Sequence, residues 1–115
     1  MFNYIATSAE TCEFYDIAPA EELDNGQRLF LEIGEKPIVV FKIAGELFAI
    51  GDVCSHDDGP LGDGEISNHT ITCPRHGGEF DIRTGKATML PAVQDIPAYP
   101  VRIEAGRIHV GVPKE

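Results

Sequence analysis

Cys54-Ser55-His56 is followed, after sixteen residues, by Cys73-Pro74-Arg75-His76, so the chain carries the pattern C-x-H-x16-C-x-x-H. Each half offers one thiolate and one imidazole from a single short stretch. Two such stretches at one end of a fold bring four ligands to one point. Soft sulfur with intermediate nitrogen suits zinc or an iron–sulfur centre and disfavours calcium and magnesium, which take oxygen ligands. Structural zinc sites usually pair two cysteines on one knuckle and two histidines on a helix. Here both knuckles are mixed, and nothing helical follows the second. Mixed knuckles suit a two-iron centre in which one iron takes both sulfurs and the other both imidazoles. A zinc-stabilised β interaction module is the rival, and colour separates the two: zinc is colourless, whereas an iron–sulfur protein is reddish-brown and bleaches on reduction.

The elements that must position these ligands read as short strands. Residues 26–33 alternate loosely, 37–43 are a β-branched run, and 47–50 follow at once, with Ala44-Gly45 as a tight hairpin turn. Residues 99–104 and 107–112 flank Ala105-Gly106, a second hairpin of the same kind. Residues 69–73 and 79–82 are further short strands, and Cys12 lies in an early one. The one helical candidate is 19–23, about a turn and a half. The class is all-β. The middle of the chain differs from its ends: 52–64 holds four Gly or Pro residues and no strand pattern, 73–78 is a second loop, and 89–92 a third, shorter break. Loops held by a rigid β scaffold are where sites usually sit.

Composition bounds the partners. The chain has 115 residues, enough for one domain with one core, and 43% of them are hydrophobic. Nineteen acidic residues against nine basic ones give −10 at pH 7, which repels nucleic acid and anionic membranes and suits a partner with a basic docking face. No apolar run approaches the ~18 residues of a membrane span. The first residues lack the basic start and apolar stretch of a signal peptide, so a cytoplasmic monomer is expected. Three cysteines, Cys12, Cys54 and Cys73, are an odd, low count that argues against a disulfide framework.

With these features together, the chain resembles the Rieske-type ferredoxins, the small electron-transfer components of bacterial aromatic-ring dioxygenase systems. The likeness runs through 47–53, the loop Cys54-Ser55-His56, the loop Cys73-Pro74-Arg75-His76-Gly77, Phe80-Asp81, Thr84-Gly85-Lys86-Ala87, Pro91-Ala92 and the stretch 99–103. The resemblance implies a Rieske fold over 1–115, an antiparallel β-sandwich-like base with a small cluster-binding subdomain at about 52–92. It implies one [2Fe–2S] cluster, with Cys54 and Cys73 on the buried iron and His56 and His76 on the outer one. It also implies a non-catalytic carrier in aromatic hydrocarbon catabolism, taking an electron from an NAD(P)H-dependent flavin ferredoxin reductase and passing it to a terminal oxygenase. A Rieske subunit serving nitrite reduction or iron–sulfur assembly is the alternative, and Arg75, where leucine or tryptophan is usual, departs from the family pattern. The chain shows no glycine-rich nucleotide loop and no 2-His-1-carboxylate site beyond the cluster ligands.

The ligand mix sets the redox chemistry. Two ferric ions, two sulfides and two thiolates sum to zero, and neutral imidazoles in place of thiolates raise the potential to about −150 to +300 mV, against about −400 mV for plant-type ferredoxins. High-potential family members carry a further cysteine in each loop, and serine and tyrosine after the second histidine. The matching positions here are Gly59, Arg75, Gly78 and Phe80, so neither the disulfide nor the hydroxyl donors are present. A potential at the low end, near about −150 mV, follows. Asp57, Asp58, Asp63 and Glu65 form either an acidic docking rim or the solvated face of an acidic protein. His69 and His109 read as ordinary strand residues, Cys12 as a buried apolar filler, and Pro91 as either a third loop over the cluster or a plain turn. Gly59, Gly62, Gly64, Gly77 and Gly78 read as backbone requirements.

Overall fold

The β-branched run forms the centre of the molecule. In the computed structural model, which describes residues 12–53, 61–74, 77–89 and 95–113, strand β3 (Lys36–Ile43) buries Ile38, Val39, Val40 and Phe41 consecutively. A strand with apolar side chains at successive positions must be covered on both faces, because neighbouring side chains point to opposite sides. Val39 and Phe41 pack with Ile50, Leu61, Ile71, Cys73, Phe80, Ile82 and Ile96 in one core. Ile38 and Val40 pack with Ala49, Tyr99, Ile108 and Val110 in another. Each buried aliphatic or aromatic side chain contributes roughly 1.5–3 kcal/mol.

Three antiparallel sheets build these cores. The middle sheet runs β2 (Arg28–Ile33), β3, β4 (Glu46–Gly51) and β9 (Ala98–Tyr99). A second orders β1 (Cys12–Pro19), β11 (Arg107–Pro113) and β10 (Val101–Glu104). The third orders β5 (Glu65–Ser67), β6 (Thr70–Thr72), β7 (Glu79–Asp81) and β8 (Ala87–Met89). All eight strand pairings among the described residues are antiparallel. Among the described residues no helix is long and apolar enough to cross a membrane.

Both anticipated hairpins form. Ala44 and Gly45 have φ of 50° and 84°, and Ala105 and Gly106 have 51° and 75°, the two left-handed residues of a turn that follows the strand twist. Asn25 braces the first by accepting a bond from the Gly45 amide at 2.7 Å.

Other expectations need adjusting. The stretch 99–104 is not one strand. Pro100 has no N–H for a ladder, and the chain crosses there from the middle sheet to the second, where the Pro100 carbonyl accepts the Gly111 amide at 2.8 Å. The helical candidate at 19–23 shrinks to one 3₁₀ turn, Ala20–Glu22, closed by the Leu23 amide on the Ala20 carbonyl. His69 lies in the turn between β5 and β6, not in a strand. Strands β5 and β8 are additions, since three residues are too few to show a period of two.

Candidate metal centre

The second candidate ligand loop joins β6 to β7. Thr72 and Glu79 are paired across the hairpin, and the Cys73 amide donates to the Gly78 carbonyl at 2.7 Å. The Gly77 amide turns back onto the Cys73 carbonyl at 3.0 Å, with Gly77 at φ +80°, where a side chain would be strained. The loop is thus closed at its base, and burial grades along it. Cys73 is only 1% exposed, set among Leu61, Ile71 and Phe80, whereas Pro74 and Gly77 face solvent. His76 and Arg75, inside this loop, lie outside the described residues.

The first candidate ligand loop leaves β4 and returns before β5. Cys54 and His56, with Asp57, Asp58 and Gly59, also lie outside the described residues, but both ends of the loop are defined. At the entry, the Gly51 amide donates to Pro97 at 2.9 Å and the Asp52 amide to Pro37 at 3.0 Å. At the exit, the Asp52 carboxylate accepts the Leu61 amide at 3.0 Å and the Gly62 amide at 2.6 Å. Arg28, on β2, donates one guanidinium nitrogen to the Gly62 carbonyl and to the Gly64 carbonyl, the latter at 2.8 Å. A Cβ on Gly64 would stand 1.9 Å from the Thr72 carbonyl oxygen, so the exit of the first loop lies directly against the residue preceding Cys73.

A third set of bonds ties the chain on either side of 90–94, which includes Pro91 and is not described. The Ile96 amide donates to Gly85 at 2.8 Å, and the Asp95 carboxylate accepts the Ala87 amide at 2.8 Å. The turn before it is closed by the Gly85 amide on the Asp81 carbonyl at 2.7 Å. The Asp81 carboxylate takes the Arg83 amide and two guanidinium nitrogens at 2.8, 3.1 and 2.9 Å. The Arg83 side chain, with its amide, holds the Asp81 carboxyl below its ordinary value of 3.8, against a smaller opposing effect of burial.

The remaining candidates fall into place. Asp63 and Glu65 are exposed. His69 packs edge-on against Phe48 with ring centres 5.4 Å apart, and His109 is a half-buried member of β11. Cys12 is buried on β1. Among the described residues no three His, Cys, Asp or Glu side chains converge as a metal site. Arg28, Asp52 and Asp95 are contributors that sequence reasoning missed. Asp52 and Asp95 each precede or end a loop, a local signal. Arg28 has none, because its partners lie 34 and 36 residues away.

The donor chemistry fits a two-iron cluster. Cys73 sits in an apolar core, and no charged side chain is buried among the described residues. A buried sulfur there suits a metal core that its thiolates leave formally neutral. Similarity to known proteins points the same way. The family model described as Rieske [2Fe-2S] domain matches residues 13–100. The anthranilate 1,2-dioxygenase ferredoxin subunit of Burkholderia cepacia is 36% identical over 106 residues, covering 92% of this chain and 98% of its own length. The ferredoxin component of the naphthalene 1,2-dioxygenase/salicylate 5-hydroxylase systems of Ralstonia sp. is 34% identical over 98 residues, 85% of this chain and 94% of its own. In structure, the ferredoxin of carbazole 1,9a-dioxygenase from Nocardioides aromaticivorans IC177 superposes with a TM-score of 0.80 at 30% identity, covering 88% of this chain and 98% of that one.

Proposed function

This chain belongs to the Rieske [2Fe-2S] domain family, and from that premise we propose that it is a soluble, cytoplasmic one-electron carrier. It takes an electron from an NAD(P)H-dependent flavin reductase and delivers it to a terminal ring-hydroxylating oxygenase. Two relatives that match along nearly their whole lengths are named as ferredoxin parts of aromatic dioxygenase systems, which supports a carrier role. When bound, one Rieske-type [2Fe–2S] cluster supplies a site for a single reversibly held electron.

In this reading the chain is one Rieske domain, and 52–92 forms its cluster-binding subdomain. Cys54 and Cys73 hold the inner iron, and His56 and His76 the outer one. The burial of Cys73 beside the exposed Pro74 and Gly77 supports that division, since it sets the cysteine in the core and its described loop neighbours at the surface. Imidazoles on the outer iron would give a short electron path to a docked protein. Gly78 has no side chain and Phe80 is a buried ring, so neither donates a hydroxyl to sulfur. With a net charge of −10, these features disfavour the added electron and support a potential of about −150 mV. A monomer docking through an acidic rim that includes Asp63 and Glu65 completes the proposal, and its association slows with salt.

The observation that carries this reading is Cys73, a buried cysteine at the closed base of a loop within the matched family region. Reconstitution tests it. Purified chain is combined with an NAD(P)H-dependent flavin reductase and a terminal aromatic oxygenase. Hydroxylated product should depend on the chain and vanish in Cys73→Ser. Equal product without the chain, or a positive midpoint potential, contradicts the proposal.

A further inference from the structure

We infer that Asp52 and Arg28 are positioning residues for the iron centre, forming a clasp that sets the two ligand loops against each other. The inference rests on the reading that Cys54, His56, Cys73 and His76 hold the cluster. Its structural basis is separate from that reading, being the hydrogen bonds at the described ends of the first loop.

Leu61 lies nine residues beyond Asp52, and the loop between them carries two ligands. Left to itself, a glycine-containing loop of this length samples many shapes, and every shape moves its ligands. Asp52 closes it. One carboxylate oxygen accepts the amides of Leu61 and Gly62, joining the exit of the loop to its entry. The Asp52 amide is itself fixed to Pro37 at the start of β3, so the closure is anchored to the middle sheet.

Arg28 secures the other side of the same backbone. Its guanidinium reaches from β2 to the carbonyls of Gly62 and Gly64 and lies 5.6 Å from the centre of the Phe41 ring. Gly62 is therefore held from both sides, its amide by Asp52 and its carbonyl by Arg28. Space is tight there as well: a Cβ on Gly62 would stand 3.0 Å from the Asp52 carboxylate oxygen. Gly64 then passes the constraint on. It is pressed against the Thr72 carbonyl, and the next residue is the ligand Cys73. One arginine and one aspartate thus fix the exit of the first loop through four charge-assisted bonds, which are among the stronger kinds, and that exit lies against the residue preceding Cys73.

The test compares wild type with Asp52→Ala, Asp52→Asn, Arg28→Met and a remote control, Arg102→Gln, all isolated with their iron. Three properties are read: loss of visible absorption under excess chelator, the line shape of the reduced EPR signal, and deuterium uptake of peptides spanning 61–64. Asp52→Ala and Arg28→Met should lose the cluster about tenfold faster or more. Both should broaden the EPR signal through varied ligand geometry, and both should exchange faster at 61–64. Asp52→Asn keeps the acceptor oxygen and should recover most of the wild-type behaviour, which a loss of bulk stability would not predict. Arg102→Gln should change nothing at 61–64.

If Asp52→Ala does not fold, Arg28→Met decides alone. Wild-type cluster lifetime and EPR shape in Arg28→Met overturn the inference. Faster exchange at 61–64 with an unaltered cluster also overturns it, by showing a clasp that holds the loop but not the metal. Wild-type protein lacking iron removes the reading of the site itself, an outcome distinct from a failure of the clasp.

Discussion

The middle sheet and the β5–β8 sheet share a core but are held together differently. Strand β3 is eight residues long, pairs on both sides through six-residue registers, and is buried on both faces. Strands β5 to β8 have three residues each, and β7–β8 is interrupted by a register shift. Long strands need little beyond side-chain alternation and turns. Three-residue strands cannot hold a ladder unaided, so this end relies on side chains that bind backbone: Asp52, Arg28, Asp81 and Asp95. Its apolar side chains, Leu61, Ile71, Phe80 and Ile82, pack into the core shared with β3 and β4, so what these polar bonds hold is the loops rather than the core. The base is a scaffold, and under the proposed function the other end is a site that its cofactor helps to fold.

The strongest break in that comparison is ligand removal. Cys73→Ser should yield colourless protein with no stoichiometric iron. Deuterium exchange should rise through 61–89 while β3, β4 and β11 stay protected. Uniform loss of protection would show the two regions to be one cooperative unit.

Core truncation sharpens the contrast. Ile38→Ala, on the face of β3 toward the second sheet, should cost about 2–5 kcal/mol, and Phe80→Ala, beside Cys73, about 3–5 kcal/mol. In denaturant, Ile38→Ala should shift far-UV and visible transitions together. Phe80→Ala should lose visible absorption first, at denaturant concentrations where the base is still folded.

Two glycines test the regions by overpacking. Gly64→Ala sets a methyl against backbone, the Thr72 carbonyl, which has nowhere to go. Gly111→Ala, in the base, meets the Phe14 ring and Pro100 at 2.9 Å. Each should cost about 1–3 kcal/mol, with Gly64→Ala at the upper end or beyond. Thermal melts followed by circular dichroism give the stabilities, and only Gly64→Ala should also shorten the life of the cluster.

The smallest effect concerns Asp81 and Arg83. The Asp81 carboxyl titrates lower in the folded protein than its ordinary 3.8, so its contribution is present above that value and fades as pH falls through the lower folded value. Arg83→Gln should therefore lower Tm slightly at neutral pH and leave it unchanged in strong acid. The pair is largely solvent-exposed, so salt should shrink the difference.

Much of this architecture is legible in the amino-acid sequence alone. The apolar run of β3 and the Ala-Gly turns are local signals, and so is the spacing of Cys54, His56, Cys73 and His76. What escapes is what depends on distance or brevity. Strands β5 and β8 are too short to display alternation. The division at Pro100 is a choice between two sheets that alternation alone does not make. Arg28 looks like any solvent-facing strand arginine until Gly62 and Gly64 come back to it. The resemblance to dioxygenase ferredoxins, carried by the motifs around the two loops, is matched by the family model over 13–100.

A two-iron core held by two sulfurs and two imidazoles is tested most directly by EPR of the reduced protein, measured with iron and acid-labile sulfide on the same sample. Two irons and two sulfides per chain are expected, with a rhombic signal whose average g lies below that of an all-cysteine [2Fe–2S] cluster. Colourless protein with bound zinc, or iron giving the all-cysteine signal, would contradict it.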